Sequence, residues 1–113
     1  MEIPSAPAAN SPLEHWKALA RRAGYRCDQL PAVAAMSGRT VRRRIREVFR
    51  TTVELWLRQV RLSDAPALVR AGLRTKEIAH RLGYEQPSHF CRHFKQHHGL
   101  PVKQWRKTHA VGV

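Results

Sequence analysis

The sequence predicts an all-α fold of about seven helices, in which two helix-turn-helix subdomains are joined by a linker helix. The first indication lies in residues 78–106, where a short amphipathic helix, a turn at Gly83 and a second amphipathic helix follow one another. Phe90 and Phe94 lie one turn apart on the second helix and share its apolar face, while cationic side chains fall on the opposite face. Residues 30–48 repeat this pattern imperfectly, and the repeat predicts a second subdomain of the same kind.

The charge balance predicts a polyanionic partner. Lysine and arginine number 21 against 8 acidic residues, which gives a formal net charge of +13, and 16 of the 21 are arginine. A guanidinium group donates two parallel hydrogen bonds, which suits phosphate and guanine. These charges are set into apolar helical periodicity, so duplex DNA is favoured over a membrane surface or a ribosomal partner. No apolar run approaches the roughly 20 residues of a transmembrane helix, and a cytoplasmic, nucleoid-associated protein is expected.

The sequence contains no catalytic or cofactor-binding pattern. Its acidic residues are scattered singly, and neither a Ser-His-Asp arrangement nor a Gly-rich phosphate loop occurs, so we expect no enzyme and no cofactor. Cys27 and Cys91 lie far apart, which argues against a zinc framework, and Cys91 is expected to pack beside the apolar face of its helix. His89, His93 and His97 recur every four residues, but no carboxylate completes a ligand set, so no metal site is expected.

The first subdomain is expected in residues 12–51, after a flexible lead-in in residues 1–11 that is rich in Pro, Ala and Ser. Its first helix begins behind the cap Ser11 and ends at Gly24, and Asp28 is expected to cap a short second helix. The apolar residues at helical spacing in the first helix are Leu13, Trp16, Leu19, Ala20 and Ala23.

The third predicted helix, residues 38–49, carries most of the charge of this subdomain and has Ser37 as its cap. Its predicted buried face consists of Val41, Ile45 and Val48. The opposite face consists of Arg39, Arg42, Arg43 and Arg46. Like charges at these spacings repel one another in a free helix, so their presence together indicates a bound anion, the alternative being a basic face that is only solvated.

The linker helix is predicted in residues 52–72. Its expected buried residues are Val53, Trp56, Leu57, Val60, Leu68 and Val69. Pro66 lies inside it, and an interior proline removes one hydrogen bond and clashes with the preceding turn at a cost of about 3 kcal/mol. Because Ser63 or Asp64 can cap a fresh helix, we predict a kink or a restart within residues 63–66.

The second subdomain is expected in residues 73–108, followed by a frayed tail in residues 109–113. Thr75 is expected to cap its first helix, Gly99 to end its second, and Trp105 to close the core. The three predicted helices span residues 76–82, 87–98 and 102–107.

The residue order in 78–106 resembles the C-terminal signature of the AraC/XylS transcription regulators, which reads I-A-x-x-L-G-Y, S-x-F-x-R-x-F-K and G-x-P-x-x-W-R. The matching residues are Ile78, Ala79, Leu82, Gly83, Tyr84, Ser88, Phe90, Arg92, Phe94, Lys95, Gly99, Pro101, Trp105 and Arg106. The resemblance covers about residues 13–107 and implies a homeodomain-like double helix-turn-helix. In the first half, Pro31, Ala35 and Arg50 stand where the family has a small residue, a turn glycine and a closing glycine.

The resemblance implies a transcriptional regulator that binds double-stranded DNA sequence-specifically. The third and sixth helices would enter successive major-groove segments. The implied base-contacting residues are Arg39, Arg42, Arg43, Ser88, His89 and Arg92. The implied phosphate-contacting residues are Ser37, Arg46, Arg50, Gln86, Lys95 and Lys103.

Two other functions stay open: a non-specific architectural DNA binder, and a degenerate module that contacts RNA polymerase or another regulator. The chain resembles the small stand-alone members of the family, the alternative being a fragment of a larger regulator. RNA polymerase is a second candidate partner. No leucine-rich heptad is present, so we expect a monomer on DNA.

Overall fold

The computed structural model describes residues 11–109, and within this range the chain forms seven α-helices and no strand. The helices are α1 (Pro12–Arg22), α2 (Leu30–Ala34), α3 (Gly38–Phe49), α4 (Val53–Arg70), α5 (Thr75–Arg81), α6 (Pro87–His98) and α7 (Val102–His109). The chain divides into two compact units between residues 60 and 61, inside α4. The predicted all-α class is confirmed. Most of the lead-in predicted for residues 1–11, and residues 110–113 of the predicted tail, lie outside the described residues.

The first unit packs α1, α2, α3 and the first half of α4 around an aromatic centre. Trp16 meets the ring of Trp56 edge-on with 6.5 Å between centroids, and Phe49 stacks on Trp56 at 5.0 Å. The burial predicted for Val48 is wrong, since this side chain is 41% exposed, and Leu13 of the apolar pattern in α1 is 45% exposed. Phe49 is partly buried and packs against the core instead, because its ring stacks on Trp56. The buried core residues are Trp16, Leu19, Ala20, Ala23, Leu30, Val41, Ile45, Val53, Trp56, Leu57 and Val60.

The helix starts of the first unit follow the predicted caps in two of three cases. Ser11 and Ser37 are confirmed as caps, because each Oγ accepts the N–H of the residue three positions further on, at 3.1 Å. The cap predicted at Asp28 is wrong. α2 begins behind Gln29, which is already helical (φ −96°, ψ −19°), so the extended cap conformation is missing. Asp28 pairs instead with Arg26 at 3.6 Å.

Two non-glycine residues end helices of the first unit in the left-handed conformation. Ala35 follows α2 with φ 56°, and Arg50 follows α3 with φ 60°. Behind Ala35, the N–H of Met36 donates to the carbonyl of Pro31 at 3.0 Å, a bond typical of glycine-ended helices. Both positions are those for which the resemblance implies glycine. The turn geometry is therefore kept, at a steric cost of roughly 1 kcal/mol per residue.

Replacing Ala35 by glycine is expected to raise the free energy of unfolding by about 0.5–1 kcal/mol, because relief of the left-handed strain exceeds the added entropy of the unfolded chain. Arg50→Gly should stabilise the fold similarly, yet it removes a predicted phosphate contact, so DNA affinity should fall while stability rises. Urea denaturation and DNA titration measure the two effects. Gly99→Ala is the control: Gly99 has φ +82° and nothing within 4 Å of an added Cβ, so the variant should lose stability through strain alone. Glycine variants that fail to stabilise would contradict the strain at these turns.

The linker helix α4 is continuous from residue 53 to residue 70, with Pro66 inside it. The restart predicted within residues 63–66 is therefore wrong, whereas a bend at the same place stays a prediction. Pro66 has no N–H to donate to the carbonyl of Leu62, one turn earlier. That carbonyl instead lies 2.9 Å from Nε2 of His98, so the missing hydrogen bond is replaced from another helix.

The two halves of α4 contribute to the cores of different units. In the first half, the predicted burial of Val53, Trp56, Leu57 and Val60 is confirmed. In the second half, the buried residues are Leu62, Ala65 and Val69, while Leu68 is only half-buried. The prediction for Leu68 is wrong because Leu62, Ala65 and Val69 form the buried side of α4 in the second unit and Leu68 lies beside that side.

The second unit packs the second half of α4 with α5, α6 and α7. Phe90 and Phe94 are fully buried, and Trp105 meets Phe94 edge-on at 6.0 Å between centroids. Gly83 has the positive φ (82°) that the predicted turn requires. The other buried core residues of this unit are Leu62, Ala65, Val69, Ile78, Ala79, Leu82, Tyr84 and Val102.

The end of α4 is tied to α7 by Arg106, the last residue of the signature. Its Nη1 donates to the carbonyl of Val69 at 3.1 Å, and its Nη2 donates to the carbonyl of Leu73 at 2.7 Å. Carbonyls at a helix end lack intrahelical donors. Val69 lies in the last turn of α4 and Leu73 lies three residues beyond it, and a forked guanidinium can donate to both carbonyls at once, which explains an arginine at this position.

Helix ends in the second unit depart from the prediction by one or two residues. α5 begins with Thr75 itself, so Thr75 is not its cap, and the N–H of Arg74 donates to the Glu77 carboxylate at 3.1 Å. α7 runs two residues further than predicted, to His109, whose ring stacks on Trp105 with 4.1 Å between centroids.

Candidate nucleic-acid interface

α3 presents a row of arginines on the face opposite its buried residues. Val41 and Ile45 face the core, whereas the exposed cations on or directly after the helix are Arg39, Arg42, Arg43, Arg44, Arg46 and Arg50. Ser37 is exposed too, but its hydroxyl is engaged within the helix start, where it donates to Thr40 Oγ1 at 3.0 Å. All the contact residues predicted in the first half of the chain thus lie at the surface of the first unit.

Arg42 is held by a carboxylate that the sequence analysis did not identify. Its Nη1 lies 3.4 Å from Oε2 of Glu54, in the first turn of α4. The same Oε2 accepts a hydrogen bond from the thiol of Cys27, with 3.6 Å between Sγ and Oε2. These residues come from three separate segments, so no local spacing in the sequence indicates the contact.

The Glu54 carboxylate is ionised at neutral pH. Its own backbone N–H lowers the pKa of Glu54 most, and hydrogen bonds from Arg42 and Cys27 lower it further. The pKa of the Cys27 thiol is raised, first by burial and then by the charge of Glu54. Arg42 therefore faces a full negative charge, while Cys27 stays a neutral thiol.

Replacing Glu54 by glutamine is expected to tighten DNA binding by about 1.5- to 5-fold, the range in which exposed ion pairs fall. The change frees Arg42 and removes a charge that repels phosphate. Glu47→Gln is the matched control, because it removes one negative charge from α3 itself without touching the Arg42–Glu54 pair. Titration of the same duplex with both variants separates the two effects. An equal gain from both would show that long-range charge alone is responsible.

α6 is the second exposed polar helix surface. Pro87 opens the helix, and the carbonyl of Gln86 accepts the N–H groups of His89 and Phe90 at 3.1 and 3.4 Å. The predicted contact residues of this unit are all exposed: Gln86, Ser88, His89, Arg92 and Lys95, with Lys103 exposed on α7. The face carries fewer cations than that of α3.

Cys91 is exposed on α6, so the prediction that it packs beside the apolar face is wrong. The buried side of α6 is occupied by Phe90 and Phe94, and the ring of His98 lies 4.4 Å from that of Phe94. These larger rings leave no core position for the thiol.

Contacts of Tyr84 with one residue of α6 and one of α4 support the position of α6. The hydroxyl of Tyr84 lies 3.0 Å from Nδ1 of His93, and the guanidinium of Arg61 lies over the Tyr84 ring at 5.2 Å. Tyr84 is a signature residue, but neither of these contacts was predicted. Tyr84 follows α5, whereas Arg61 lies on α4 and His93 on α6, so only the fold brings them together.

The histidines of α6 separate into different environments. His89 is exposed, His93 bonds Tyr84, and partial burial followed by the charge of His98 lowers the pKa of His97. A folded-state pKa below the unfolded value means that protonation of His97 opposes folding as pH falls below about 6.5.

Within residues 11–109, no three His, Cys, Asp or Glu side chains are grouped so that they can hold a metal ion. None of the helices described has the length and apolarity needed to cross a membrane.

The chain matches a family model described as a helix-turn-helix domain over residues 30–108. No curated protein sequence is significantly similar to this one.

Solved structures share the fold. The chain is similar to a DNA-binding transcriptional dual regulator from Escherichia coli K-12, with a TM-score of 0.71 at 18% identity over 84% of this chain and 88% of that chain. It is also similar to the C-terminal domain of AraT, a response regulator from Geobacillus stearothermophilus, with a TM-score of 0.72 at 21% identity over 90% and 89%. A third likeness is to the C-terminal domain of the two-component response regulator yesN from Fusobacterium nucleatum, with a TM-score of 0.66 at 22% identity over 85% and 99%.

Proposed function

Because this chain belongs to the AraC-type helix-turn-helix family of DNA-binding transcription regulators, we propose that it reads a specific duplex sequence through α3 and α6. The observation that carries the proposal is the division of α3. Val41 and Ile45 are buried, while Arg39, Arg42 and Arg43 are exposed together on the other side. Arginine bidentate to guanine O6 and N7 is the commonest specific contact in the major groove. The exposed arginines of α3 are therefore suited to bind guanine bases.

α6 supplies the second reading surface in this proposal. Ser88, His89 and Arg92 contact base edges, and Pro87 at the helix entry offers no N–H. Because Ser88 is short, α6 reads fewer base pairs than α3. The phosphate contacts come from Ser37, Arg46, Arg50, Gln86, Lys95 and Lys103, which fix the register without carrying sequence information. Two reading helices in successive major-groove segments, about 10 bp apart, let a monomer recognise an asymmetric site.

A second partner is proposed for the exposed apolar side chains of the first unit. Leu13, Val48 and Leu55 are the exposed large hydrophobic residues of the described chain. The proposed partner is RNA polymerase, or another regulator at the nucleoid in the cytoplasm, which a regulator bound at a promoter meets. Alanine at all three positions should leave DNA affinity unchanged and change transcription in a reconstituted assay.

The test of sequence reading is selection from a random duplex library at about 150 mM salt, where non-specific binding is weak. A bipartite motif with sub-sites roughly one helical turn apart is the expected result. A single short motif would mean that only one unit reads bases and the other anchors. Retention of DNA at low salt without enrichment would replace the proposal by an architectural role, and no retention at all would favour a protein-contact module.

A further inference from the structure

The carbonyl of Leu62 is an acceptor that α4 itself cannot satisfy. In an α-helix this oxygen receives the N–H of the residue four positions later, which here is Pro66 and has none. Leu62 is 3% exposed, so water has little access to the position. A buried carbonyl without a donor is costly, and such groups are nearly always paired in native proteins.

The donor comes from the last residue of α6. His98 Nε2 lies 2.9 Å from the Leu62 oxygen, although the two residues are 36 positions apart in the chain. Since a carbonyl can only accept, Nε2 carries a proton in this contact. The imidazole is oriented by its neighbours, with ring centroids at 4.4 Å from Phe94 and 6.4 Å from Trp105.

We infer that Pro66 and His98 form a coupled pair that positions α6 on the linker helix. Because Pro66 has no N–H, the Leu62 carbonyl is left free of its usual bond within α4 and can accept a hydrogen bond from another helix. His98 donates to it and thereby fixes the C-terminal end of α6 against the second half of α4. His98 is thus a positioning residue: it lies at the opposite end of α6 from Ser88 and acts through the orientation of the helix. Its relevance to DNA rests on the proposed function.

The test is a double-mutant cycle on the full chain with His98→Phe, Pro66→Ala and the double variant. Phenylalanine keeps a ring beside Phe94 and Trp105 but removes the donor. With Pro66 present, His98→Phe should lower the folding equilibrium constant about 10-fold, because the Leu62 carbonyl is left unpaired. In the Pro66→Ala background the N–H of the new alanine takes over the carbonyl, and the same exchange should cost less than about 3-fold.

Two further measurements keep the inference testable if a variant fails to fold. In the unaltered protein, nitrogen NMR of His98 should show a protonated Nε2, and the Leu62 carbonyl carbon shift should move in His98→Phe but not in His89→Phe, since His89 is exposed near the other end of α6. An unprotonated Nε2, or an equal loss of stability in both backgrounds, would overturn the coupling. These readouts need no DNA, so they stand apart from any failure of the DNA-reading proposal.

The DNA readout then tests positioning. Against the selected site, His98→Phe should weaken binding about 10-fold more than against random duplex, and the double variant should recover most of this difference. His98→Gln, which retains an N–H donor, should recover part of it. Identical affinities for the four proteins of the cycle would show that the pair stabilises the fold without positioning α6.

Discussion

Exchanging both Arg42 and Arg43 for alanine is expected to weaken binding to the preferred DNA site by about 2–6 kcal/mol, since a bidentate arginine–guanine contact contributes roughly 1–3 kcal/mol each. Both side chains are exposed on the face of α3 opposite Val41 and Ile45. The loss should be concentrated at one or two adjacent base pairs, because base contacts carry sequence information and phosphate contacts do not.

The two arginines should contribute unequally. Arg42 must leave the Glu54 carboxylate, 3.4 Å away, before it meets a base, whereas Arg43 has no ion pair among the described residues. Arg43→Ala should therefore cost more than Arg42→Ala. In Glu54→Gln the contribution of Arg42 should rise towards that of Arg43.

Competition titrations with the preferred site and with single-base-pair variants of it measure these effects. Arg58→Ala is the matched control for each single variant, because Arg58 is exposed on α4 in the same unit and its replacement removes one positive charge outside the predicted interface. A uniform loss over all duplexes would assign Arg42 and Arg43 to phosphates. A loss equal to that of Arg58→Ala would remove α3 from the interface altogether.

The elements that could be predicted from the sequence are those defined by local chemistry. α3 and α6 have the predicted bounds because Ser37 caps one and Gly99, with φ 82°, ends the other. The fully buried Phe90 and Phe94 follow directly from helical spacing. The exposed arginine face of α3 was equally visible in the sequence.

What could not be predicted depends on partners distant in sequence. The predicted restart at Pro66 follows from a local rule, and it fails because His98 supplies a donor from 36 residues past Leu62. The contact of Arg42 with Glu54 and Cys27 likewise joins three segments. Local rules give the cost of an unpaired group, but only the tertiary fold shows which distant group compensates for it.

DNA affinity should fall steeply with salt concentration, and the slope of this dependence should change by a fixed amount in each variant that lacks a phosphate contact. Four of the predicted phosphate contacts, Arg46, Arg50, Lys95 and Lys103, are cations. At about 0.9 per neutralised phosphate, they give a slope of log affinity against log salt near −3.6, or a roughly 150-fold loss between about 50 and 200 mM salt. Base-contacting arginines near the backbone would make it steeper.

Lys95→Ala and Lys103→Ala should each reduce the magnitude of this slope by about 1 and weaken all duplexes alike. Arg43→Ala should do the reverse, with a large loss of discrimination and a smaller change in slope. The comparison is decisive for α6, whose face carries only Arg92 and Lys95 as exposed cations beside its histidines. If Lys95→Ala changed discrimination instead of slope, α6 would read bases with its lysine, and Ser88 and His89 would lose the roles proposed for them.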